Sequence, residues 1–364
     1  MAIRRIAAAE ALGRLGRYGA VLDARSPGEY ADDHLPGAVN WPSLSDAERA
    51  TVGTMYQHES PFAARRLGAV LVARNIASHL EREAQDKPRD WHPLVYCWRG
   101  GQRSAALAHV LDSIGFPVSV LDGGYRAFRR AVMAELDTLP AQLPFRVLAG
   151  PTGSAKSRLL QALRAAGAQV LDLEALACHR GSVLGPLPGT PQPSQKAFET
   201  ALWAALSGFD PAQPVWAESE SRTIGRLRVP EPLLERLRAA ACVVLRMPLD
   251  ERVRFLCLEY AHFVADTDAF CERLSALRDL RGAAVVERWQ AAARAGRHAD
   301  VVRELLTDHY DPIYERSMRR NFAGYADGTA LALADGASAT LAAAARHLMA
   351  SAPTATPSPA GAPR

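Results

Sequence analysis

The chain alternates short apolar runs with longer stretches in which Ala and Leu recur at helical spacing. This alternation is typical of parallel α/β architecture, because each strand is followed by a helix that covers the sheet. The predicted strands fall into two groups along the chain. The first group is 20–24, 94–98 and 118–124, and the second is 145–150, 169–174, 215–220 and 242–247.

Two groups of strands predict two domains, which suits a chain of 364 residues. The stretch 137–145, DTLPAQLPF, carries two prolines directly before a strand and is the predicted linker. We expect one α/β domain over 1–138 and a second parallel-sheet domain over 139–350. Arginine-rich amphipathic helices over 275–320 would form a helical C-terminal part of the second domain. The proline- and alanine-rich residues 351–364 predict a disordered tail.

Charge, apolar runs and cysteine spacing limit the functions that this chain can have. The net charge is only +4, so nucleic-acid contacts would need a local basic surface. No apolar run approaches the roughly 20 residues that span a bilayer, and arginines interrupt the alanines of the N-terminus, so no membrane partner is predicted. The five cysteines show no C-x-x-C pair and no zinc spacing. They favour a reducing, cytoplasmic location without disulfides or a cysteine-built metal site.

CWRGGQRS, residues 97–104, places a cysteine at the end of a predicted strand and before a helical run. The two glycines let the backbone turn with positive φ and aim N–H groups inward, while two arginines add positive charge. This charge and the helix N-terminus favour a thiolate at Cys97, the predicted catalytic nucleophile. The predicted anion loop consists of Trp98, Arg99, Gly100, Gly101, Gln102 and Arg103.

The loop alone leaves two chemistries open. Its C-x5-R-S spacing is that of cysteine phosphatases, in which the cysteine attacks phosphorus and a separate group serves as general acid. A sulfur carrier would use the same cradle to hold a persulfide on Cys97.

Upstream of this loop, VLDARSPGEYADDHLPGAVNWP carries an aspartate and an arginine after the first strand, then a glutamate and a His-x-x-Gly-Ala-x-Asn run. Downstream, residues 121–130 are LDGGYRAFRR. In this order the strings resemble the rhodanese family, in which the cysteine relays sulfur as a persulfide. We expect Arg25 and Glu29 to form a structural ion pair. The matching positions are Asp23, Arg25, Glu29, His34, Gly37, Ala38 and Asn40.

GPTGSAKS, residues 150–157, fits the P-loop frame G-x-x-x-x-G-K-[ST], except that Ala155 replaces the last glycine. Loop N–H groups would wrap a diphosphate and Lys156 would neutralise its charge. The methyl group of Ala155 favours an anion other than a nucleoside triphosphate. Ser157 is the residue that would hold Mg²⁺, and no tightly bound cofactor is expected. The predicted diphosphate-binding residues are Gly150, Thr152, Gly153, Ser154, Ala155, Lys156 and Ser157.

Three polar strings follow, at 171–185, 193–199 and 218–230. We expect their charged side chains to converge at the carboxyl edge of the second sheet, where ligands bind in open α/β folds. For Glu218 and His179 a structural role and a functional role both stay open. The candidates are Asp172, Glu174, His179, Arg180, Gln195, Lys196, Glu218, Glu220 and Arg222.

The order of strings across both predicted domains is more specific than any one motif. It runs YCWRGGQRS, LDGGYRAFR, GPTGSAKS, LDLEALACHRGS, PSQKAFE, ESESRTIG and HYDPIYERS. This order closely resembles the bacterial tRNA 2-selenouridine synthase family. The resemblance implies a rhodanese-like domain followed by a P-loop NTPase-like domain. It also implies a transferase that replaces the sulfur of wobble 2-thiouridine, in the tRNA anticodon loop, by selenium from selenophosphate. The family also transfers a geranyl group from geranyl diphosphate to that sulfur.

For this chain the resemblance implies two sites with different tasks. The Cys97 thiolate would attack the selenium of selenophosphate and carry it as S-selanylcysteine. The P-loop would bind the diphosphate of geranyl diphosphate, so that S-geranyl-2-thiouridine precedes 2-selenouridine. Candidate tRNA contacts are Arg226, Arg228, His309 and Tyr310.

Two alternatives belong to other functional classes. One is a rhodanese-type sulfurtransferase, a persulfide carrier coupled to an ATPase domain. The other is a cysteine phosphatase with a regulatory nucleotide module.

Overall fold

The computed structural model describes residues 3–180, 189–261 and 265–351. They form two compact units. Unit 1 comprises the described residues up to Leu136 together with Pro193–Ala204, and unit 2 comprises the remainder. The predicted tail, apart from Ser351, lies outside the described residues.

The sheet of unit 1 is fully parallel and has the order β1-β5-β4-β2-β3. Its carboxyl edge receives Cys97, the residue that follows β4. The strands are β1 (Arg4–Ile6), β2 (Ala20–Asp23), β3 (Ala38–Asn40), β4 (Pro93–Tyr96) and β5 (Ser119–Leu121).

The helices of unit 1 have clear local causes. Ser45 and Glu48 form a capping box at the start of α3, and Pro61 occupies the first position of α4, where its missing N–H costs nothing. The helices are α1 (Ala8–Leu12), α2 (Pro27–Asp32), α3 (Asp46–His58), α4 (Pro61–His79), α5 (Gln102–Ile114) and α6 (Gly124–Gln142), with a 3₁₀ turn at Leu15–Arg17 and a π-helical turn at Leu80–Ala84.

The core of unit 1 lies between the sheet and its helices. Leu22 and Val95 of the strands pack with Leu107 and Leu111 of α5, and all four are at most 1% exposed. Cys97 belongs to the same cluster. The residue at the candidate site is therefore backed by rigid core packing rather than by loop alone.

Unit 2 has a second fully parallel sheet, of order β12-β11-β6-β8-β7, and a separate antiparallel hairpin, β9–β10. The P-loop follows β6, the central strand. The strands are β6 (Phe145–Ala149), β7 (Gln169–Leu171), β8 (Val215–Glu218), β9 (Thr223–Ile224), β10 (Leu227–Arg228), β11 (Ala241–Arg246) and β12 (Gly324–Ala332).

Beyond residue 142 the described helices include a run after β11 that forms the predicted helical C-terminal part. It packs around its own apolar cluster, which contains Phe270, Leu274 and Trp289. The helices are α7 (Lys156–Ala165), α8 (Leu173–Leu176), α9 (Gln195–Ser207), α10 (Glu231–Ala239), α11 (Leu249–Glu259), α12 (Thr267–Ser275), α13 (Arg278–Arg281), α14 (Ala283–Arg294), α15 (His298–Glu304), α16 (Asp311–Asn321) and α17 (Ser338–Ser351), with a π-helical turn at Leu305–Tyr310.

The structure corrects the predicted linker. Residues 137–142 are the last turns of α6, and Pro140 lies inside that helix. A proline near the end of a helix removes one hydrogen bond, and the helix continues past it for two residues. The short strands β1 and β3, and the strand β12, had no predicted counterpart. Among the described residues no helix is both long and apolar enough to cross a bilayer.

Candidate functional site

In unit 1, Cys97 lies directly after β4 and its side chain is buried, with 3% of the residue exposed. The loop ends at Gly101, the N-cap of α5, so the helix N-terminus begins beside the sulfur. Ser104, in the first turn of α5, donates its hydroxyl to Sγ of Cys97 at 3.1 Å. The same hydroxyl also lies 3.1 Å from the carbonyl oxygen of Gly101. One hydroxyl proton thus has two acceptors, the sulfur and the loop backbone.

The LDGGYR string, residues 121–126, holds the anion loop through backbone hydrogen bonds. Tyr125 donates its backbone N–H to the carbonyl of Cys97 at 2.8 Å, and Arg126 donates to Trp98 at 3.1 Å. Gly124 has a φ of +57°, and a Cβ there would lie 2.2 Å from the carbonyl oxygen of Cys97. The glycine is required because the two backbones touch.

Arg25 and Glu29 do not pair with each other, so that prediction is wrong. Arg25 is buried and binds Asp23 in a side-chain pair of 2.6 Å, with its guanidinium 3.9 Å from the ring centre of Tyr125. Glu29 instead accepts from Arg103 of the anion loop at 2.8 Å. Spacing alone did not distinguish these partners, because the arginine nearest in space to Glu29 is distant in sequence.

The pairing of Glu29 with Arg103 has an electrostatic consequence. Burial alone would raise the pKa of Glu29, but the hydrogen bond and charge of Arg103 outweigh it, and the net pKa is lowered. Arg103 is thereby held at the start of α5 by an ionised carboxylate. Of the other predicted loop residues, Arg99, Gly101 and Gln102 are exposed, Trp98 is half-buried and Gly100 is buried.

In unit 2, the loop 150–155 leads from β6 into α7, which begins at Lys156. Ala155 has a φ of +62°, a left-handed conformation that costs an L-residue about 1 kcal/mol. It is 4% exposed and packs in the core cluster with Leu159 and Leu160. The residue that departs from the P-loop frame therefore contributes to the core behind the loop.

Lys156 is folded back onto its own loop. Its Nζ donates to the carbonyl of Gly150 at 2.6 Å and lies 5.5 Å from the ring centre of Tyr314. Burial lowers the pKa of Lys156, while Glu174, Glu218 and Glu220 act in the opposite direction. Gly150 in turn donates its N–H to the Tyr314 hydroxyl at 2.6 Å.

Three carboxylates meet beneath the P-loop. Ligand oxygens of Glu174, Glu218 and Glu220 all lie within 4.8 Å of one another. Ser157 donates to Glu174 at 3.0 Å and lies 3.3 Å from Glu218. Burial raises the pKa of each carboxyl group, that of Glu220 to about 8. The charge of Glu174 adds to the rise for Glu218 and Glu220, and the charge of Asp172 adds to it for Glu174. Such a cluster suits a bound divalent cation, since oxygen ligands around a hard cation relieve the repulsion.

The P-loop, Glu174 and Glu220 line a cavity of about 570 Å³. Besides the P-loop, its polar lining includes the predicted residues Asp172, Glu174, His179, Arg180, Glu220 and Arg222. Glu218 is fully buried beside it. Burial lowers the pKa of His179. The same cavity has an apolar wall, formed by Phe255, Leu256, Tyr260, Ile313, Met318 and Phe322.

Two helices, α11 and α16, contribute to this wall and were not predicted as parts of the site. Arg252 of α11 donates to the Thr152 carbonyl at 2.7 and 2.9 Å and binds Asp311 of α16 at 2.6 Å. Tyr314 follows on the same face of α16. Ile313, Tyr314, Ser317, Met318 and Asn321 recur at helical spacing and all line the cavity. This helical spacing was the feature of the sequence that could have identified the cavity-lining face of α16.

Two predicted site residues do not reach the cavity. Gln195 and Lys196 belong to unit 1, because residues 193–204 pack there. Gln195 donates to Glu199 at 2.9 Å, and Lys196 pairs with Asp32 at 2.7 Å. Sequence order placed them wrongly, since the chain returns to unit 1 between β7 and β8.

The candidate tRNA contacts differ in accessibility. Arg226 and Arg228 are exposed on or beside the β9–β10 hairpin. His309 is only 5% exposed, so it is not a surface contact, and Tyr310 lines the cavity. Both lie in the π-helical turn that precedes α16.

Comparison with known families agrees with the two units. A rhodanese-like domain model matches residues 7–131, and a model described as the tRNA 2-selenouridine synthase AAA domain matches residues 143–271.

Relatives match over most of the chain. A tRNA 2-selenouridine synthase from Alcanivorax borkumensis is 33% identical over 82% of this chain and 90% of its own length. One from Psychromonas ingrahamii is 30% identical over 82% and 88%. One from Nitrosomonas europaea is 36% identical over 64% and 61%. The chain therefore belongs to the tRNA 2-selenouridine synthase family, with a rhodanese-like domain followed by the AAA domain of that family.

Proposed function

We propose that the chain converts wobble 2-thiouridine of tRNA to 2-selenouridine, using selenophosphate, by way of S-geranyl-2-thiouridine made from geranyl diphosphate. The name shared by its relatives supports the reaction. The observation that carries the proposal is the presence in one chain of two anion loops, each at a helix N-terminus. One holds a buried cysteine and the other a lysine.

The first step is assigned to the cavity of unit 2. The sulfur of 2-thiouridine attacks C1 of geranyl diphosphate, a C–S bond forms, and the C–O bond breaks with its electron pair leaving on diphosphate. N3 of the base releases its proton to solvent. Loop N–H groups and Lys156 stabilise the departing charge. For this, Nζ of Lys156 exchanges the carbonyl of Gly150 for a phosphate oxygen.

The apolar wall supports a substrate with a hydrocarbon tail. Phe255, Leu256 and Phe322 lie in the same cavity as the P-loop, so one ligand can place its diphosphate on the loop and its tail on the wall. Each CH₂ group buried there contributes about 0.8 kcal/mol. A bare phosphate gains none of this stabilisation.

The carboxylate cluster fits a Mg²⁺ ion. Ser157, Glu174, Glu218 and Glu220 would hold it, because they offer oxygen ligands close together. When bound, the ion supplies further charge neutralisation for diphosphate.

The second step is assigned to unit 1. Sγ of Cys97 attacks the selenium of selenophosphate, an S–Se bond forms, and the Se–P bond breaks. Its electron pair goes to phosphorus, which leaves as phosphite. Arg103 and the loop N–H groups stabilise that oxyanion.

The terminal selenium of Cys97 then attacks C2 of the geranylated base, and geranyl thiolate leaves. A low-molecular-weight thiol cleaves the S–Se bond, which releases 2-selenouridine and leaves Cys97 as a mixed disulfide. A second thiol reduces it. Over all steps, two thiols are oxidised to one disulfide and the phosphorus of selenophosphate is reduced to phosphite, so the electrons balance.

Exposed Arg226 and Arg228 are proposed to contact the tRNA backbone. Replacing both with Gln should weaken tRNA binding and make it less dependent on salt, since phosphate contacts release counterions.

Reconstitution with thiolated tRNA, geranyl diphosphate, selenophosphate and a thiol tests the proposal, with each component omitted in turn. We expect Cys97→Ala to accumulate S-geranyl-2-thiouridine and Lys156→Ala to leave 2-thiouridine unmodified. Cys178→Ala and Lys87→Ala are the matched controls. Selenation by Cys97→Ala at the normal rate would overturn the role of the cysteine. Normal geranylation by Lys156→Ala would relocate the first step.

Phosphorus NMR separates two forms of the selenium step. Phosphite as product agrees with attack on selenium. Phosphate without phosphite as product would mean that the Se–P electron pair does not go to phosphorus, which contradicts transfer of selenium to Cys97 by this step.

A further inference from the structure

Residues 193–204 lie in sequence between two strands of unit 2, yet they pack in unit 1. One exposed contact of this segment, Lys196 with Asp32, leaves both side chains nearly half exposed. Such a pair contributes little. One of the buried contacts is different, because Thr200 is 6% exposed and its partner Asp33 is 2% exposed.

Asp33 is a buried carboxylate with two hydroxyl donors. Thr200 donates its hydroxyl to Oδ2 of Asp33 at 3.0 Å, and Tyr125 donates its own to the same oxygen at 2.7 Å. Arg129 donates to the Thr200 hydroxyl oxygen at 3.0 Å. Thr200 therefore uses its hydroxyl both as donor and as acceptor inside the unit.

Tyr125 connects this group to the cysteine loop. Its N–H holds the carbonyl of Cys97 at 2.8 Å, and its ring stacks on Trp98 with ring centres 5.3 Å apart. Two hydrogen bonds thus lead from Thr200 to Tyr125, and a third leads from Tyr125 to the backbone of Cys97.

We propose that Thr200 is a positioning residue for Cys97. By fixing the Asp33 carboxylate it fixes the Tyr125 hydroxyl, and with it the loop that aims Sγ. Without the Thr200 hydroxyl, Asp33 keeps the Tyr125 hydroxyl and the Arg129 guanidinium, 3.8 Å away. The carboxylate is then held less firmly, and the Tyr125 hydroxyl is positioned less precisely. The α9 segment is thereby a part of the cysteine site, a role that does not depend on which group Cys97 transfers.

The test uses the full chain with Thr200→Val, Thr200→Ser and, as control, Lys196→Ala on the same helix. We measure amide hydrogen exchange at Tyr125 and Arg126, and the rate at which iodoacetamide alkylates Cys97, followed on its own peptide. For Thr200→Val we expect exchange about tenfold faster and alkylation changed about tenfold, since a misplaced reacting group costs rate on that scale. Thr200→Ser and Lys196→Ala should match the parent, and amides of β6 should be unchanged in all.

Parent-like exchange and alkylation in Thr200→Val would overturn the proposal, as would failure of Thr200→Ser to restore them. Should Thr200→Val not fold, Tyr125→Phe is measured in the same way. It keeps the N–H bound to Cys97 and deletes only the bond to Asp33, so parent-like values in that variant would equally overturn the proposal.

Discussion

The hydroxyl of Ser104 lies 3.1 Å from Sγ of Cys97, and both side chains are buried. The contact joins the end of β4 to the first turn of α5. The buried sulfur therefore has a hydrogen-bond donor from the protein itself, and a water molecule is not needed for this role.

Replacing this hydroxyl should slow the chemistry of Cys97. A hydrogen bond to a charged group is worth about 1.5–3 kcal/mol, so we expect Ser104→Ala to lower the rate of Cys97 alkylation by about tenfold or more. Ser113→Ala, an exposed serine of the same helix that bonds only to a backbone carbonyl, is the control. Equal rates in the two variants would show that Ser104 does not stabilise the thiolate.

The close approach of Gly124 to the cysteine loop predicts a large effect of one methyl group. We expect Gly124→Ala to destabilise unit 1 by about 2–4 kcal/mol, from left-handed strain and from the clash with the Cys97 carbonyl. Gly37→Ala has a similar φ, +71°, with no atom within 4 Å of the new Cβ, and should cost only the strain, about 1 kcal/mol. Denaturant unfolding measures both. Similar losses in the two variants would contradict the clash.

Tyr314 should affect the P-loop through its hydroxyl. Tyr314→Phe leaves the N–H of Gly150 without its 2.6 Å acceptor, so we expect a loss of about 1 kcal/mol of stability and weaker binding of inorganic diphosphate. Tyr325→Phe deletes a hydroxyl bonded to Glu315 at 2.6 Å and should leave diphosphate binding unchanged. Calorimetric titration distinguishes the two. Unchanged binding in Tyr314→Phe would show that this contact does not shape the loop.

The carboxylate cluster predicts a pH dependence of stability. The pKa of Glu220 is raised to about 8, so between the ordinary glutamate value of about 4.3 and 8 the unfolded state has released a proton that the folded state retains. The free energy of unfolding of the metal-free protein should therefore fall as pH rises through this range. In Glu220→Gln it should fall less. Mg²⁺ should restore more stability near pH 8.5 than near pH 6, because it binds the ionised form.

Denaturant unfolding at several pH values, with and without MgCl₂, checks this expectation. Glu235→Gln, on an exposed position of α10, is the control. If the free energy of unfolding changes with pH equally in Glu220→Gln and in the parent chain, Glu220 does not titrate as part of the carboxylate cluster.

Local patterns were sufficient to predict the elements that carry both loops. The apolar runs before Cys97 and Gly150 gave β4 and β6, because a strand buried on both faces has a nearly continuous apolar sequence. The P-loop and most of the predicted polar residues after it line one cavity. They follow neighbouring parallel strands, whose carboxyl ends share an edge.

Residues brought in from distant helices could not be predicted in this way. The return of 193–204 to unit 1 is accompanied by specific polar contacts, such as that of Thr200 with Asp33, which leave no periodic signal. The partner of Glu29 is likewise chosen by the fold rather than by spacing. The α16 face did carry a helical pattern, but only the structure shows that it faces the P-loop.

In the resting P-loop both backbone groups of Gly150 are occupied, since Lys156 donates to its carbonyl and Tyr314 accepts from its N–H. An anion that takes the place of the Gly150 carbonyl on Lys156 displaces this internal contact, so its measured affinity is a difference between two sets of bonds. Small inorganic anions compete with that closed arrangement at a disadvantage. A ligand that also covers the apolar wall has a second source of binding energy, and the loop thereby discriminates by the body of a ligand as well as by its charge.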